Sequence, residues 1–131
     1  MNLNITSMRI AVSAIIIRQG RLLLVRKKRV WILPGGKPES GESDINCLNR
    51  EIAEELTGAK LRIIRRLDMF QGKTPHVGDM IRVETYLAAL EGDAHPSGEI
   101  DAVLWTSQPE KHLLSEVTKN IVASLHENHL L

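Results

Sequence analysis

The sequence predicts an α/β fold in which a mixed β-sheet lies between α-helices (α/β/α). Strand-like and helix-like patterns follow one another in the order strands, one helix, strands, one helix. Each helical pattern carries its apolar residues along one side, as expected for helices that pack on a sheet. The 131 residues are 43% apolar and 25% charged, an ordinary balance for one globular domain over residues 1–131.

A β-hairpin is predicted at the start of the chain. Residues 8–17 are mostly apolar and β-branched, and RLLLVRK at 21–27 forms a second strand after a turn at 18–20. The following stretch, LPGGKPESGES at 33–43, contains two prolines and three glycines. It is predicted to be a loop, and its length suggests a functional role.

The first helix is expected to begin at Ser43 or Asp44, because either side chain can cap the first turn. Gly58 is expected to end it as a left-handed cap. The buried stripe at helical spacing is predicted to comprise Ile45, Leu48, Ile52 and Leu56.

The second half of the chain predicts two long strands, at 60–70 and 80–90, a loop at 91–99 and a short strand at 101–106. Ser107 and Glu110 have the spacing of a capping box, so the last helix is expected to begin there. Its inward-facing residues are predicted to be Leu114, Val117, Ile121 and Leu125.

Composition excludes several classes of protein. The net charge is +1 and aromatic residues make up 3%, so neither a basic field nor a stacking platform favours nucleic-acid binding. Cys47 is the only cysteine, which excludes an intrachain disulfide and a Cys-rich zinc site and favours a reducing, cytoplasmic location. The longest apolar run, residues 10–17, is too short to span a membrane.

The segment REIAEEL at 50–56 concentrates three carboxylates, Glu51, Glu54 and Glu55, on one side of the first helix. Like charges four residues apart cost a helix about 0.2–0.5 kcal/mol. A divalent cation with hard oxygen ligands, such as Mg²⁺, would remove this repulsion. A solvated acidic face in a purely structural domain is the alternative interpretation. Arg50 stands four residues before Glu54 and can orient it.

The residues before this segment complete a known pattern. From Gly36 the chain reads glycine, five residues, Glu42, seven residues, then REIAEE at 50–55. This resembles the Nudix box, G-x5-E-x7-R-E-U-x-E-E-x-G-U with U a bulky aliphatic, at every fixed position over 36–55. The preceding LPGG is similar to the family as well. One departure follows, because Thr57 and Gly58 stand where the family has glycine and an aliphatic residue.

The resemblance implies a Nudix-type fold and a hydrolase that cleaves a diphosphate linkage in nucleoside diphosphate derivatives or nucleoside triphosphates, with Mg²⁺ or Mn²⁺. It implies metal binding by Glu51, Glu54, Glu55 and the carbonyl of Gly36. A general base takes a proton from the attacking water, and two candidates remain open, Glu54 and a loop residue, Glu99.

The resemblance also implies supporting roles outside the metal site. Arg50 would orient a glutamate of the box, and Glu42 would support the loop. Gly35, Gly36 and Lys37 are expected to meet the substrate, since glycine lets backbone approach a ligand closely. Arg26, in the basic run RKKR at 26–29, is a further candidate for phosphate.

The expected partner is a small nucleotide, with no nucleic acid and no membrane. Homodimers are common in the family. A second hypothesis is a non-catalytic Nudix domain that binds a nucleotide as a sensor. Metal-dependent turnover would separate the two.

Overall fold

A computed structural model describes residues 9–75 and 78–131. The strands are β1 (Arg9–Arg18), β2 (Arg21–Lys27), β3 (Val30–Ile32), β4 (Gly35–Gly36), β5 (Leu56–Thr57), β6 (Lys60–Lys73), β7 (Met80–Glu91), β8 (His95–Pro96) and β9 (Ala102–Thr106), and the helices are α1 (Asp44–Glu55) and α2 (Glu116–Glu127). These bounds confirm the hairpin at the start and the long strands after α1. Residue 8, predicted as the first of β1, lies outside the described residues.

The main sheet is mixed, with β3, β2, β1, β7 and β6 as its neighbouring strands in that order. β1 and β7 run parallel, and the other neighbours pair antiparallel. β9 pairs with β2, and β4 pairs with β1. Part of the predicted loop at 33–43 is therefore a short strand, since Gly35 and Gly36 add to the edge of β1.

Strand alternation builds one apolar core on each face of the sheet. In β2, Leu23 and Val25 belong to the core under α1, whereas Leu22 and Leu24 belong to the core under α2. β1 alternates in the same way. The two helices therefore cover opposite faces, which confirms the α/β/α architecture.

α1 begins as predicted, but one residue of its predicted stripe is wrong. Ser43 is the N-cap, and its hydroxyl accepts a hydrogen bond of 3.2 Å from the Asn46 amide. Leu48, Ile52 and Leu56 are buried. Ile45 is 46% exposed, and Cys47 is buried in the stripe instead.

The predicted helix end at Gly58 is also wrong. α1 ends at Glu55, and its C-cap, Leu56, has φ −129°, outside the left-handed region. Residues 56–57 then pair with β8. Gly58 does have a positive φ, +88°, but it turns the chain from β5 into β6. Tertiary pairing, and not a glycine, ends this helix.

α2 begins eight residues later than predicted, because Ser107 precedes only a short 3-10 turn, Pro109–Lys111, which contains Glu110. The observed N-cap is Ser115, whose hydroxyl accepts from the Thr118 amide over 3.3 Å. The predicted inward residues of the segment are buried, although Leu114 lies before the helix, where it forms a β-bridge with Trp31. None of the helices in the described residues is long and apolar enough to span a membrane.

Candidate active site

A cavity of about 880 Å³ lies where β1 and β2 diverge. These strands pair only at their hairpin end, through Ile17 and Arg18, and farther along β1 pairs with β4. Four carboxylates from two parts of the sequence line the cavity: Glu51, Glu54 and Glu55 of α1, and Glu99. Gly35, Gly36 and Lys37 line it too. The fold therefore brings most of the predicted site residues to one wall.

Arg50 lies beside this wall and connects the loop to the helix. Its guanidinium donates two hydrogen bonds of 2.9 Å to the two carboxylate oxygens of Glu42 and one of 2.8 Å to Glu51. A further hydrogen bond of 3.1 Å reaches the carbonyl of Lys37. Glu54 lies farther away, with its carboxylate 3.6 Å from Arg50. Arg50 therefore orients Glu51 more directly than Glu54.

The paired charge of Arg50 changes the acidity of its main partner. The hydrogen bond from Arg50 lowers the pKa of Glu42 to about 2, and the backbone amide of Glu39 contributes in the same direction. Glu42 therefore stays ionised at any physiological pH, and the pair with Arg50 persists.

Gly36 leaves room for the carboxylate of Glu51. A Cβ atom at Gly36 would lie 2.3 Å from Cδ of Glu51, closer than any nonbonded carbon pair can approach. The carbonyl of Gly36 accepts from the buried thiol of Cys47, with 3.7 Å between sulfur and oxygen. Burial raises the pKa of Cys47 to about 11, so this group is a thiol and not a thiolate.

Glu55 is the carboxylate of the cavity whose pKa is raised far above that of a free side chain. Burial raises its pKa to about 8, and the nearby charge of Glu51 adds to the increase. The amide of Gly35 donates to Glu55 over 3.0 Å and opposes the shift, but does not cancel it. A partly buried carboxylate that is costly to ionise is stabilised by a cation placed beside it.

Glu99 faces the same cavity from the loop before β9. Its carboxylate pairs with Nζ of Lys27 at 2.7 Å, and this pair lowers the pKa of Glu99. Its side chain is 76% exposed, whereas that of Glu51 is 16% exposed. Glu99 is therefore ionised and open to water, unlike Glu55.

Arg26 does not line the cavity, and the lysines that follow it do. Alternation along β2 places Arg26 on the α2 side, where it pairs with Asp101 at 2.7 Å and lies over Trp31. Lys27 falls on the α1 side with the glutamates. The structure therefore does not place Arg26, the predicted phosphate contact, in the cavity, and the period of two along the strand could have separated it from Lys27.

The far part of the cavity is apolar and aliphatic. Ile81, Val83, Val117 and Ile121 line it, together with Ser13, Ser115 and Thr118. The chain has four aromatic side chains, all in the described residues, and each packs against one of the two cores and does not line the cavity.

As the side chains stand, no group of three or more His, Cys, Asp or Glu residues converges as a metal site within residues 9–75 and 78–131. Arg50 holds Glu51, and the Gly35 amide holds Glu55. The donor set nevertheless suits a hard divalent cation, because three carboxylates share the wall and one of them is costly to ionise.

Comparison with known proteins identifies the family. The family model of the NUDIX domain matches residues 7–123. No curated protein sequence matched the chain. Among solved structures, the MutT NUDIX hydrolase from Burkholderia pseudomallei is 27% identical, with 89% of this chain and 97% of that chain covered and a TM-score of 0.76.

Two further structures share the fold. The E. coli ORF135 protein is 25% identical, with 92% of each chain covered and a TM-score of 0.74. A bifunctional NMN adenylyltransferase/ADP ribose pyrophosphatase from Francisella tularensis, complexed with AMP and a manganese ion, is 18% identical, with 96% of this chain and 43% of that chain covered and a TM-score of 0.71. The family match, over most of the chain and including the box, shows that this chain belongs to the Nudix family of hydrolases, enzymes that act on pyrophosphate bonds.

Proposed function

We propose that this Nudix hydrolase cleaves a diphosphate linkage in a nucleoside diphosphate derivative or a nucleoside triphosphate, and that it requires Mg²⁺, which Mn²⁺ can replace. The observation that carries the proposal is the shared cavity, which is lined by Glu51, Glu54 and Glu55 of the box and by four lysines, Lys27, Lys28, Lys37 and Lys73. Carboxylates for a cation and ammonium groups for phosphate are the two charge types that this reaction needs.

The metal would be held by Glu51, Glu54, Glu55 and the carbonyl of Gly36. When bound, a divalent cation neutralises phosphate oxygens and lowers the pKa of a coordinated water. The raised pKa of Glu55 supports this assignment, because a cation would favour its ionised form. The manganese ion and AMP in the fold neighbour from Francisella tularensis are consistent with the same pair of ligand classes.

The protein's own residues would bind and orient the substrate. Lys37 and the backbone at Gly35 and Gly36 would hold the diphosphate, and Lys27 and Lys28 replace Arg26 as the phosphate contacts from β2 and its turn. Arg50 would keep Glu51 in place through the Glu42 pair. These contacts fix the phosphate chain before water attacks it.

Either of two carboxylates would accept the proton of the attacking water. Glu54 is 57% exposed at the end of α1, and Glu99 is ionised and open to water on the facing loop. Both line the cavity, so geometry supports both assignments. Glu99→Gln decides between them, because Glu54 is also a metal ligand in this proposal and its loss lowers kcat in either case. A loss of at least ~10²-fold in Glu99→Gln assigns the base to Glu99, and a wild-type kcat assigns it to Glu54.

The nucleoside would lie against the aliphatic part of the cavity. Among the residues that the structure describes, no aromatic side chain lines the cavity, so we do not propose that the base stacks on a ring. Contacts with Val83, Val117 and Ile121 discriminate bases weakly, because an apolar wall rejects a wrong polar group by only about 1–3 kcal/mol. We therefore expect activity on several nucleotides that share a diphosphate.

The single catalytic domain would comprise residues 1–131.

The test is a panel of nucleoside triphosphates, nucleotide sugars, ADP-ribose and dinucleoside polyphosphates, each incubated with Mg²⁺ and with EDTA. The readout is release of nucleoside monophosphate, phosphate or pyrophosphate. We expect Mg²⁺-dependent cleavage and a loss of at least ~10²-fold in Glu54→Gln. Glu127→Gln, an exposed carboxylate on α2, is the control for a lost charge. Mg²⁺ binding without turnover of any substrate would favour a nucleotide sensor instead.

A further inference from the structure

The loop that carries Glu99 is fastened to the end of the helix that carries Glu54 and Glu55. Ser97 makes both connections. Its hydroxyl donates a hydrogen bond of 2.6 Å to the carbonyl of Glu54, and its amide donates one of 2.9 Å to the carbonyl of Glu55. The short pairing of β5 with β8 lies immediately beside them.

These two carbonyls need partners, because the last carbonyls of a helix have no donor within the helix. A glycine in the left-handed conformation usually provides the capping geometry. Here the C-cap of α1 is Leu56, whose φ is −129°, and the glycine of the family pattern is displaced to Gly58. Ser97 therefore supplies from a distant loop the donors that a local cap would have supplied.

Ser97 is also the first residue of the tight turn that presents Glu99. The amide of Ile100 donates to the carbonyl of Ser97 over 3.1 Å and closes the turn. Gly98 has φ +61°, and a Cβ atom there would lie 3.1 Å from the carbonyl of Glu54. Ile100 is buried in the core under α1. Glu99 is thus an exposed residue of a turn that is fastened at one end to the helix, through Ser97, and at the other to the core, through Ile100.

We propose that Ser97 is a positioning residue that fixes Glu99 relative to Glu54 and Glu55, an inference that rests on the function proposed above. Glu99 itself has one further restraint, its ion pair with Lys27, and that lysine meets the substrate in our proposal. When a phosphate group of the substrate binds Lys27 in place of Glu99, the turn anchored by Ser97 keeps the Glu99 carboxylate in the cavity. The displaced glycine of the box is the sequence change that gives this serine its role.

The test is a double-mutant cycle with Ser97→Ala and Glu99→Gln, assayed on the substrate that the panel identifies. A displacement of about 1 Å in a catalytic group can cost on the order of 10²-fold. Because the amide of residue 97 still bonds the carbonyl of Glu55 in Ser97→Ala, we expect a smaller displacement, with kcat lower by about tenfold and little change in KM. Ser97→Thr retains the hydroxyl and should restore the rate. Ser107→Ala, an exposed serine after β9, is the matched control and should match the wild type.

The cycle separates positioning from general support of the fold. If Ser97 acts through Glu99, Ser97→Ala has no further effect once Glu99→Gln is present, whereas independent effects multiply. Multiplying effects, a wild-type rate for Ser97→Ala or a wild-type rate for Glu99→Gln would each overturn the proposal.

Amide hydrogen exchange of residues 92–99, without substrate or metal, gives a readout that does not depend on turnover. We expect exchange to be slow in the wild type and in Ser97→Thr, and at least about tenfold faster in Ser97→Ala. Unchanged exchange would overturn the anchoring role. A wild-type protein without turnover on any substrate would overturn the proposed function instead, and the exchange experiment would still decide whether Ser97 anchors the loop.

Discussion

Arg50 binds both carboxylate oxygens of Glu42, through Nε and Nη2, at 2.9 Å each. Parallel hydrogen bonds of this kind fix the orientation as well as the distance of the two groups. The remaining terminal nitrogen of Arg50, Nη1, donates to Glu51. A residue of the loop therefore determines, through one guanidinium, where a carboxylate of the helix points.

Glu42→Gln tests this relationship. The variant keeps the size of the side chain but removes its charge and one acceptor oxygen, so Arg50 holds Glu51 less firmly. We expect kcat to fall by about 10- to 100-fold, the usual cost of losing a group that orients a metal ligand. Steady-state kinetics with Mg²⁺ measures it. Glu39→Gln is the control, because Glu39 also lies 3.0 Å from Arg50 but is 69% exposed, and we expect its rate within about twofold of the wild type. Equal losses in both variants would contradict a specific role for Glu42.

A pH dependence of stability follows from Glu55. Its pKa is about 8 in the folded, metal-free protein, against 4.5 for an ordinary glutamate. Between these values the unfolded chain ionises Glu55 while the folded protein keeps it protonated. Its contribution to the free energy of unfolding therefore falls as pH rises through this window and is constant above it.

Urea unfolding in EDTA from pH 4 to pH 9 measures this decline as the difference between wild type and Glu55→Gln. We expect the two proteins to be closest at the acidic end, and the variant to be the more stable by a few kcal/mol above about pH 8. Glu91→Gln, an exposed carboxylate on β7, should follow the wild type at every pH. A constant difference between Glu55→Gln and wild type would show that burial does not perturb Glu55.

The features that the sequence predicted correctly are local ones. The loop and helix of the box are adjacent in the chain, but the spacing of Arg50 and Glu54 predicted a pair that the structure makes less directly than the contacts of Arg50 with Glu42 and Glu51. The N-cap at Ser43 and the β-hairpin depend on neighbours within a few residues and were also predicted correctly.

The features that were missed depend on distant partners. The end of α1 depends on the pairing of Leu56 with Pro96, and Leu114 precedes α2 because it bridges to Trp31. No local pattern carries either contact. Ile45 has the right spacing for burial, but Cys47 lies closer to the centre of the face that meets the sheet. Ser97 gave no signal, because its role depends on the carbonyls of a helix forty residues earlier.

Lys27→Met tests the phosphate contact from β2. Lys27 lines the cavity, and the loss of one charged hydrogen bond typically costs about 1.5–3 kcal/mol. We expect KM to rise by roughly 10- to 100-fold, with a smaller change in kcat. Arg26→Met is the matched control on the opposite face of the same strand. It loses the exposed pair with Asp101, so we expect stability to change by less than about 1 kcal/mol and KM to stay the same. A rise in KM in Arg26→Met alone would return the phosphate role to Arg26.

Alanine substitutions at the adjacent glycines of β4 are predicted to have different effects, a loss of folding at Gly35 and a loss of activity at Gly36. A Cβ atom at Gly35 would lie 2.1 Å from the backbone oxygen of Val12, at a φ of +148°, so we expect Gly35→Ala not to fold. At Gly36 the obstacle is the end of a flexible side chain, Glu51 Cδ at 2.3 Å, and the φ of Gly36 is not positive. Gly36→Ala should therefore fold, with a loss of stability of no more than about 2 kcal/mol.

Its activity should nevertheless be low, because Glu51 must leave its position beside Arg50. We expect kcat to fall by about 10²-fold, the cost of displacing a functional group by about 1 Å. Thermal unfolding by circular dichroism and steady-state kinetics, measured on the same preparations, separate the two effects. A folded Gly36→Ala protein with wild-type kcat would show that the position of Glu51 beside Arg50 is not the one that catalysis uses.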